Sequence, residues 1–216
     1  MKSSEAETTI VVFARAPEPG HAKTRLIPAL GPEGAALLQA RLTRRALETA
    51  VAAQVGPVEL WCAPHAFYPF FEDCARHFPV RLRGQGPGSL GEKMLRACRE
   101  VLTRSPGVIL IGTDCPALSP EHLAAAAEVL AENEAVLTPA QDGGYVLIGL
   151  RSAAPAAFDN IAWGSSEVLE QTRERLGTLG WRWEEMPALW DLDRPDDLER
   201  LAAEPNLAQL LPEQAG

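Results

Sequence analysis

TIVVFARAPEPGHAKTRL, residues Thr9 to Leu26, decides the fold of this chain. Its first six residues, Thr9 to Ala14, form a short apolar, β-branched run that reads as a buried strand, and the Pro/Gly-rich segment Pro17 to Gly20 then breaks it. The first loop therefore begins at Arg15. After it, Leu37, Leu38, Leu42, Ala46, Leu47 and Ala50 recur at helical spacing with Arg41, Arg44, Arg45 and Glu48 between them. That pattern predicts an amphipathic helix of about five turns.

The same succession continues downstream. Strand signals lie at Val58 to Cys62 and Val80 to Arg83, with a helix around His65 to Arg76 between them. Ser89-Leu-Gly-Glu92 reads as a capping box that opens a helix through about Leu102. Val108 to Ile111 is the most strand-like run in the chain, and Ser119-Pro120 supplies an N-cap and first-turn proline for a helix ending near Glu132. Ala135 to Pro139 and Tyr145 to Leu150 read as two strands around Gln141-Asp-Gly-Gly144. Glu167 to Leu176 reads as a helix, Trp181 to Met186 as a last strand, and Pro195 starts a final helix. Strands separated by helices of this length predict a three-layer α/β fold: a mostly parallel, doubly wound sheet with helices on both faces. In such sheets ligands gather beyond the carboxyl ends of the strands, so loops 15–25, 112–118, 140–144 and 187–194 are expected to share one crevice.

Composition bounds the function. A chain of 216 residues, 46% hydrophobic, suits one large domain spanning residues 1–216, with its core at about 8–203. Twenty basic residues against twenty-nine acidic ones give a net charge of −9, which argues against a general nucleic-acid or anionic-membrane surface. No apolar run approaches the roughly 20 residues that span a bilayer. The opening MKSSEAETT has no apolar segment of the secretory type, so the cytoplasm is the expected location. Cys62, Cys74, Cys98 and Cys115 show neither a CxxC pair nor zinc-finger spacing and read as reduced, mostly buried thiols.

Arg15, Lys23 and Arg25 place three cations in or beside a loop in which Gly20 lets the backbone approach an anion. The pattern suits a phosphate cradle; the bland alternative is a solvated loop. It is not a Walker A sequence, since Ala22 precedes Lys23-Thr24 and Pro17 occupies the upstream glycine position, and no GxGxxG is present. Asp114 follows an apolar strand directly while the next helix already has its cap at Ser119. A spare carboxylate there suits Mg²⁺, which takes one or two carboxylates plus substrate phosphates; otherwise it forms a turn. Asp191-Leu-Asp193 offers two carboxylates on one side of an extended segment, as further metal ligands or with Asp193 capping the next helix. Asp142 serves either acceptor binding or a hairpin turn. Gly84 to Gly91 leads into a helix N-terminus and either contacts a base or ribose or is structural. Trp163-Gly-Ser-Ser166 lines an acceptor or belongs to the core. His21, His65, His77 and His122 form no triad with a nucleophile, which sets acyl transfer aside.

Taken together, Phe13-Ala-Arg15, Pro19-Gly20, Ala22-Lys-Thr-Arg-Leu26, Gly88-Ser-Leu-Gly-Glu92, Gly112-Thr-Asp-Cys-Pro116, Asp142-Gly-Gly-Tyr145 and Asp191-Leu-Asp193 resemble a bacterial family of GT-A-like transferases, labelled radical-SAM/selenodomain-associated transferase or glycosyltransferase. The resemblance runs from about residue 10 to about 200. More distantly the chain is similar to molybdenum-cofactor and phospholactate guanylyltransferases. These likenesses imply a nucleotide-diphospho-sugar transferase fold using Mg²⁺ or Mn²⁺. They imply Lys23, Arg25 and Asp114 as catalytic groups, with Ala14, Arg15, Gly20, Lys23, Arg25, Gly88, Leu90, Gly91 and Thr113 around the nucleotide. Asp142, Gly143, Gly144, Trp163 and Ser165 would face a small-molecule acceptor, and Asp114, Asp193 and Asp191 would hold the metal. Where GT-A glycosyltransferases usually carry Asp-x-Asp, this chain has Asp114-Cys-Pro116, so a second carboxylate from that strand is lost, which favours nucleotidyl transfer. The expected activity is glycosyl transfer from a nucleotide sugar; the alternatives are nucleotidyl transfer from a triphosphate to a phosphorylated acceptor and a non-catalytic nucleotide-binding domain.

Overall fold

The computed structural model describes residues 7–212. The first six residues, on which most of the N-terminal reading rests, lie outside it. Among the described residues seven strands, β1 (Thr9–Arg15), β2 (Val58–Ala63), β3 (Val80–Gly84), β4 (Val108–Ile111), β5 (Ala135–Pro139), β6 (Tyr145–Leu150) and β7 (Trp183–Glu185), make one sheet in the order β3-β2-β1-β4-β6-β5-β7. The chain enters at β1 (Thr9–Arg15) and steps outward through α1 (Ile27–Ala52), β2 (Val58–Ala63), α2 (Pro69–His77) and β3 (Val80–Gly84). It then returns through α3 (Leu90–Leu102) to β4 (Val108–Ile111) on the opposite side of β1. This reversal is the switch point at which doubly wound sheets open a crevice. The second half adds α4 (Pro120–Glu132), β5 (Ala135–Pro139), β6 (Tyr145–Leu150), α5 (Val168–Thr178), β7 (Trp183–Glu185) and α6 (Pro195–Ala203).

The sheet is mostly parallel, as the strand–helix alternation predicts. The exception is β6, antiparallel to both β4 and β5. The five residues Ala140 to Gly144 are too few for a parallel crossover, so β6 folds back beside β5 and slots between it and β4. That insertion brings the Asp142 loop beside Asp114.

Strand alternation divides the core. Ile10, Val12 and Ala14 face a cluster with Leu47, Phe71 and Leu123 under α1, α2 and α4, whereas Val11 and Phe13 face Met94, Cys98 and Leu169 under α3 and α5. A third cluster joins Leu38 and Leu42 of α1 to Trp190, Leu192 and Leu201, which clamps the 187–194 segment onto the first helix.

Two boundaries differ from expectation. The first helix begins ten residues earlier than the apolar pattern signals, at Ile27, because a helical turn before Gly31 (φ 68°, ψ 168°) joins the main helix, which restarts at Pro32. The second begins at Pro69 rather than near His65: Tyr68, held extended at φ −79°, ψ 131° ahead of a proline, cannot carry a helix through. The Ser89/Glu92 capping box is formed, with Glu92 N donating to Ser89 Oγ (3.3 Å) and Ser89 N to Glu92 Oε2 (2.7 Å). No helix among the described residues is long and apolar enough to cross a membrane.

Candidate active site

The loops at the carboxyl ends of β1 and β4 and the 187–194 segment meet around Lys23, and the loop after β5 joins them through the cavity that Asp142 shares with Asp114. Its left-handed backbone (φ 47°) turns the chain so that the side chain runs inward, only 5% exposed. There Nζ pairs with Asp114 Oδ1 at 2.9 Å and donates to the Leu192 carbonyl oxygen. Leu192 N in turn donates to the Asp114 carbonyl oxygen (2.7 Å), so three loops are tied at one point. Two residues further, Arg25 pairs with Asp193. Asp193 does not cap α6: the Asp197 carboxylate accepts from Asp193 N (2.9 Å) and Arg194 N (2.7 Å), which leaves the Asp193 carboxylate to Arg25. Leu192 is buried between its two aspartates, consistent with an extended segment that turns both carboxylates to one side.

Around this junction the crevice has two chambers. One, about 590 Å³, is lined by Phe13, Ala14, Arg15, His21, Lys23, Arg25, Gln39, Gln85, Lys93 and Thr113 among others. The other, about 400 Å³, is lined by Asp114, Asp142, Asp191, Asp193, Gly144, Trp163, Ser165 and an apolar wall of Phe13, Met94, Leu110 and Tyr145. Arg25, Leu90, Asp114 and Asp193 border both.

The remaining expected residues fall in three places. Thr113 is buried, receives a bond from Gln39 Nε2 (3.1 Å) and donates to Asp114 Oδ1 (3.2 Å), a strut behind the carboxylate. Asp142 forms the turn, its Oδ1 accepting from Gly144 N (2.9 Å), and its side chain also lines the acidic chamber. Trp163 likewise packs on the core, edge-on to Tyr145 at 6.4 Å, while lining that chamber. Gly20, Gly88, Gly91 and Gly143 line neither chamber. Gly20 shapes a turn whose following amides, His21 N and Ala22 N, donate to the Glu18 carbonyl oxygen and so are not free for a phosphate. Gly91 makes room for the Trp163 indole, whose Nε1 would lie 2.7 Å from a Cβ there. Sequence reasoning missed Gln39, Lys93 and Met94, which sit in helices, and touched Gln85 and Tyr145 only as members of the Gly84–Gly91 loop and the Asp142–Tyr145 motif, with no role of their own.

Electrostatics divides the chambers as well. The acidic chamber sets four carboxylates against Arg25. Burial above all, then the charges of Asp142, Asp193 and Asp114, push the Asp191 carboxyl up to about 6. A hard dication relieves such crowding. Among the described residues no three His, Cys, Asp or Glu side chains stand close enough to enclose one alone. The donor set therefore fits a metal shared with substrate phosphates rather than one caged by protein. The sign for stability follows from the raised carboxyl. Folded Asp191 holds its proton to higher pH than the unfolded residue, about 3.9, so stability falls as pH rises between about 4 and 6. We expect Asp191→Asn to melt higher than the native protein at pH 7 and equally below pH 4; equal melting at pH 7 would contradict it. Burial pushes the Cys115 thiol up to about 12, which leaves it protonated and removes it as a nucleophile.

Residues 46–165 match the family DUF2064, described as an uncharacterized protein conserved in bacteria. No curated protein sequence matches the chain. A solved structure of a candidate nucleotide-diphospho-sugar transferase from Desulfovibrio desulfuricans G20 superposes with a TM-score of 0.83 at 28% identity, over 94% of this chain and 89% of that one. Rv0371c of Mycobacterium tuberculosis H37Rv, in complex with manganese, follows at 0.53 and 18% identity, covering 91% and 98%. A CMP:2-keto-3-deoxy-manno-octonic acid synthetase complexed with CTP gives 0.57 at 14% identity, covering 95% and 100%. The last two share the fold. The chain belongs to the DUF2064 family and is built on the nucleotide-diphospho-sugar transferase fold.

Proposed function

We propose that this protein is a divalent-metal-dependent transferase that binds a nucleotide-activated donor in the basic chamber and a small acceptor in the acidic one, most concretely for glycosyl transfer from a nucleotide sugar. The observation that carries the proposal is the meeting of the Lys23–Asp114 and Arg25–Asp193 pairs at the boundary of the two chambers. Asp114 and Asp193, with Asp191 beside them, are the groups to hold Mg²⁺ or Mn²⁺; the ion supplies positive charge against which donor phosphates become a better leaving group. Arg15, Lys23 and Arg25 stabilise the negative charge that grows on the departing diphosphate. Asp142 orients an acceptor hydroxyl beside the face formed by Tyr145 and Trp163.

A second reading is nucleotidyl transfer, in which an acceptor phosphate displaces pyrophosphate. The several basic groups of the donor chamber favour a triphosphate, but Asp142 and Asp191 in the other chamber disfavour a phosphorylated acceptor. Four free thiols suit a reducing compartment such as the cytoplasm. A screen of nucleotide sugars and nucleoside triphosphates with Mn²⁺ separates the readings. Release of nucleoside diphosphate from a sugar donor supports glycosyl transfer, and pyrophosphate release with a phosphorylated acceptor overturns it.

A further inference from the structure

The floor of the basic chamber holds two amides that the proposed transfer leaves unemployed. Gln39 is 4% and Gln85 7% exposed, and both line the cavity. Their neighbours dictate how each amide points. Gln85 Nε2 donates to the carbonyl oxygens of Ala14 (3.2 Å) and Trp61 (2.9 Å), a pair only an NH₂ group can satisfy. Gln39 Nε2 donates to Thr113 Oγ1 (3.1 Å) and Thr43 Oγ1 (3.3 Å), hydroxyls whose own protons go to Asp114 Oδ1 (3.2 Å) and the Gln39 carbonyl oxygen (2.9 Å). The donors of both amides are thus consumed, and among the described residues neither Oε1 receives a hydrogen bond. Neither is sealed off, because the buried side-chain atoms lacking a partner are Arg83 Nε and Tyr145 Oη. Two fixed acceptors therefore open onto a chamber whose charged groups are otherwise mostly basic.

Topology gives them different places. Gln39 stands behind Asp114 through Thr113, at the phosphate end of the crevice between β1 and β4. Gln85 is anchored over the ends of β1 and β2, on the side of β1 away from Asp114. A nucleotide whose phosphates lie at Lys23 and Arg25 directs its base toward that far end. We propose that Gln85 makes the donor site select a nucleobase with an exocyclic amino group, as in adenine, cytosine or guanine, over uracil and thymine. This inference rests on the nucleotide reading of the chamber given above. An amino group at the base's edge donates to Gln85 Oε1, whereas uracil's single donor is a ring N–H set between two carbonyl oxygens, so pairing it with Gln85 brings those oxygens against the acceptor and weakens the contact. The acceptor cannot be turned into a donor by flipping the amide, because the flip would aim the carbonyl at two main-chain carbonyls.

Titration calorimetry of the native protein with ATP, CTP, GTP and UTP in Mn²⁺ tests this. At least one amino-bearing nucleotide is expected to bind roughly ten- to a hundredfold more tightly than UTP, and than its own deaminated counterpart. In Gln85→Met, which keeps the side chain's length without its acceptor, the ratio should fall toward unity. Equal or tighter binding of UTP overturns the base preference alone, as does a preference that survives in a folded Gln85→Met. Binding of none of the four, nor of the corresponding nucleoside diphosphates, overturns the nucleotide reading itself. Should the variant fail to fold, the comparison with the deaminated nucleotide on native protein still decides.

Discussion

Asp114→Asn is expected to reduce turnover by about a hundred- to a thousandfold, the scale on which single groups stabilising transition-state charge are felt. The asparagine preserves the shape of the side chain and a hydrogen bond from Thr113, so folding should survive. What disappears is the negative charge that balances Lys23 Nζ at 2.9 Å and that, on the proposed reading, would help hold a divalent metal. Calorimetry gives a second readout. In the native protein Mn²⁺ should tighten nucleotide binding; in the variant that enhancement should vanish while a metal-free component remains. The Asp114 carboxylate is about half exposed whereas the Lys23 side chain is 5% exposed, so the ammonium is the fixed member and the carboxylate is free to face a ligand. Unchanged turnover would remove Asp114 from the mechanism. Unchanged metal dependence would favour a non-catalytic binding domain.

Gly143→Ala should produce the largest loss of stability for so small a change, about 2–4 kcal/mol, read from the denaturant midpoint. Gly143 adopts φ +94°, and a Cβ there would lie 2.8 Å from both the carbonyl carbon and Cα of Ser166, closer still to its carbonyl oxygen. No side-chain rotation relieves a clash with backbone. The Gly143 carbonyl oxygen also accepts from Leu169 N (2.9 Å), which fastens the β5–β6 turn to the start of α5. Displacing the turn moves Asp142 and Gly144, so acceptor binding should weaken in parallel. Gly180→Ala is the control: its φ is +66° but nothing lies within 4 Å, and the cost should be near 1 kcal/mol. Similar losses in the two variants would refute the steric account.

Both predictions concern loops whose residue types were legible but whose neighbours were not. Asp114 stood out because an apolar strand ends just before it and the following helix has another cap at Ser119, which the structure bears out with Ser119 Oγ accepting from His122 N at 3.2 Å. That Lys23 would be driven inward onto Asp114, rather than stand open to a phosphate, was not legible. It depends on a left-handed backbone at Lys23 and on Leu192 closing over it, 169 residues further along. Gln85 shows the same limit more sharply. The Gly84–Gly91 loop was legible as a place for a base or ribose, but which of its residues could read the base shows only when Ala14 and Trp61 take both protons of the Gln85 amide.

What the sequence determined by itself were features that act over a few residues: the apolar run of β1, the helical spacing in α1, the capping box at Ser89, and the Ser119-Pro120 start of α4. These follow from periodicity and turn chemistry, which neighbouring residues settle among themselves. Only the tertiary structure decided that β6 lies between β4 and β5, that within the expected crevice the Leu192 carbonyl oxygen takes the Lys23 ammonium, and that cations and carboxylates sort into adjoining chambers. Those outcomes depend on contacts between residues distant in the chain, chosen by burial of the whole core, and a local pattern holds no record of which distant partner is chosen.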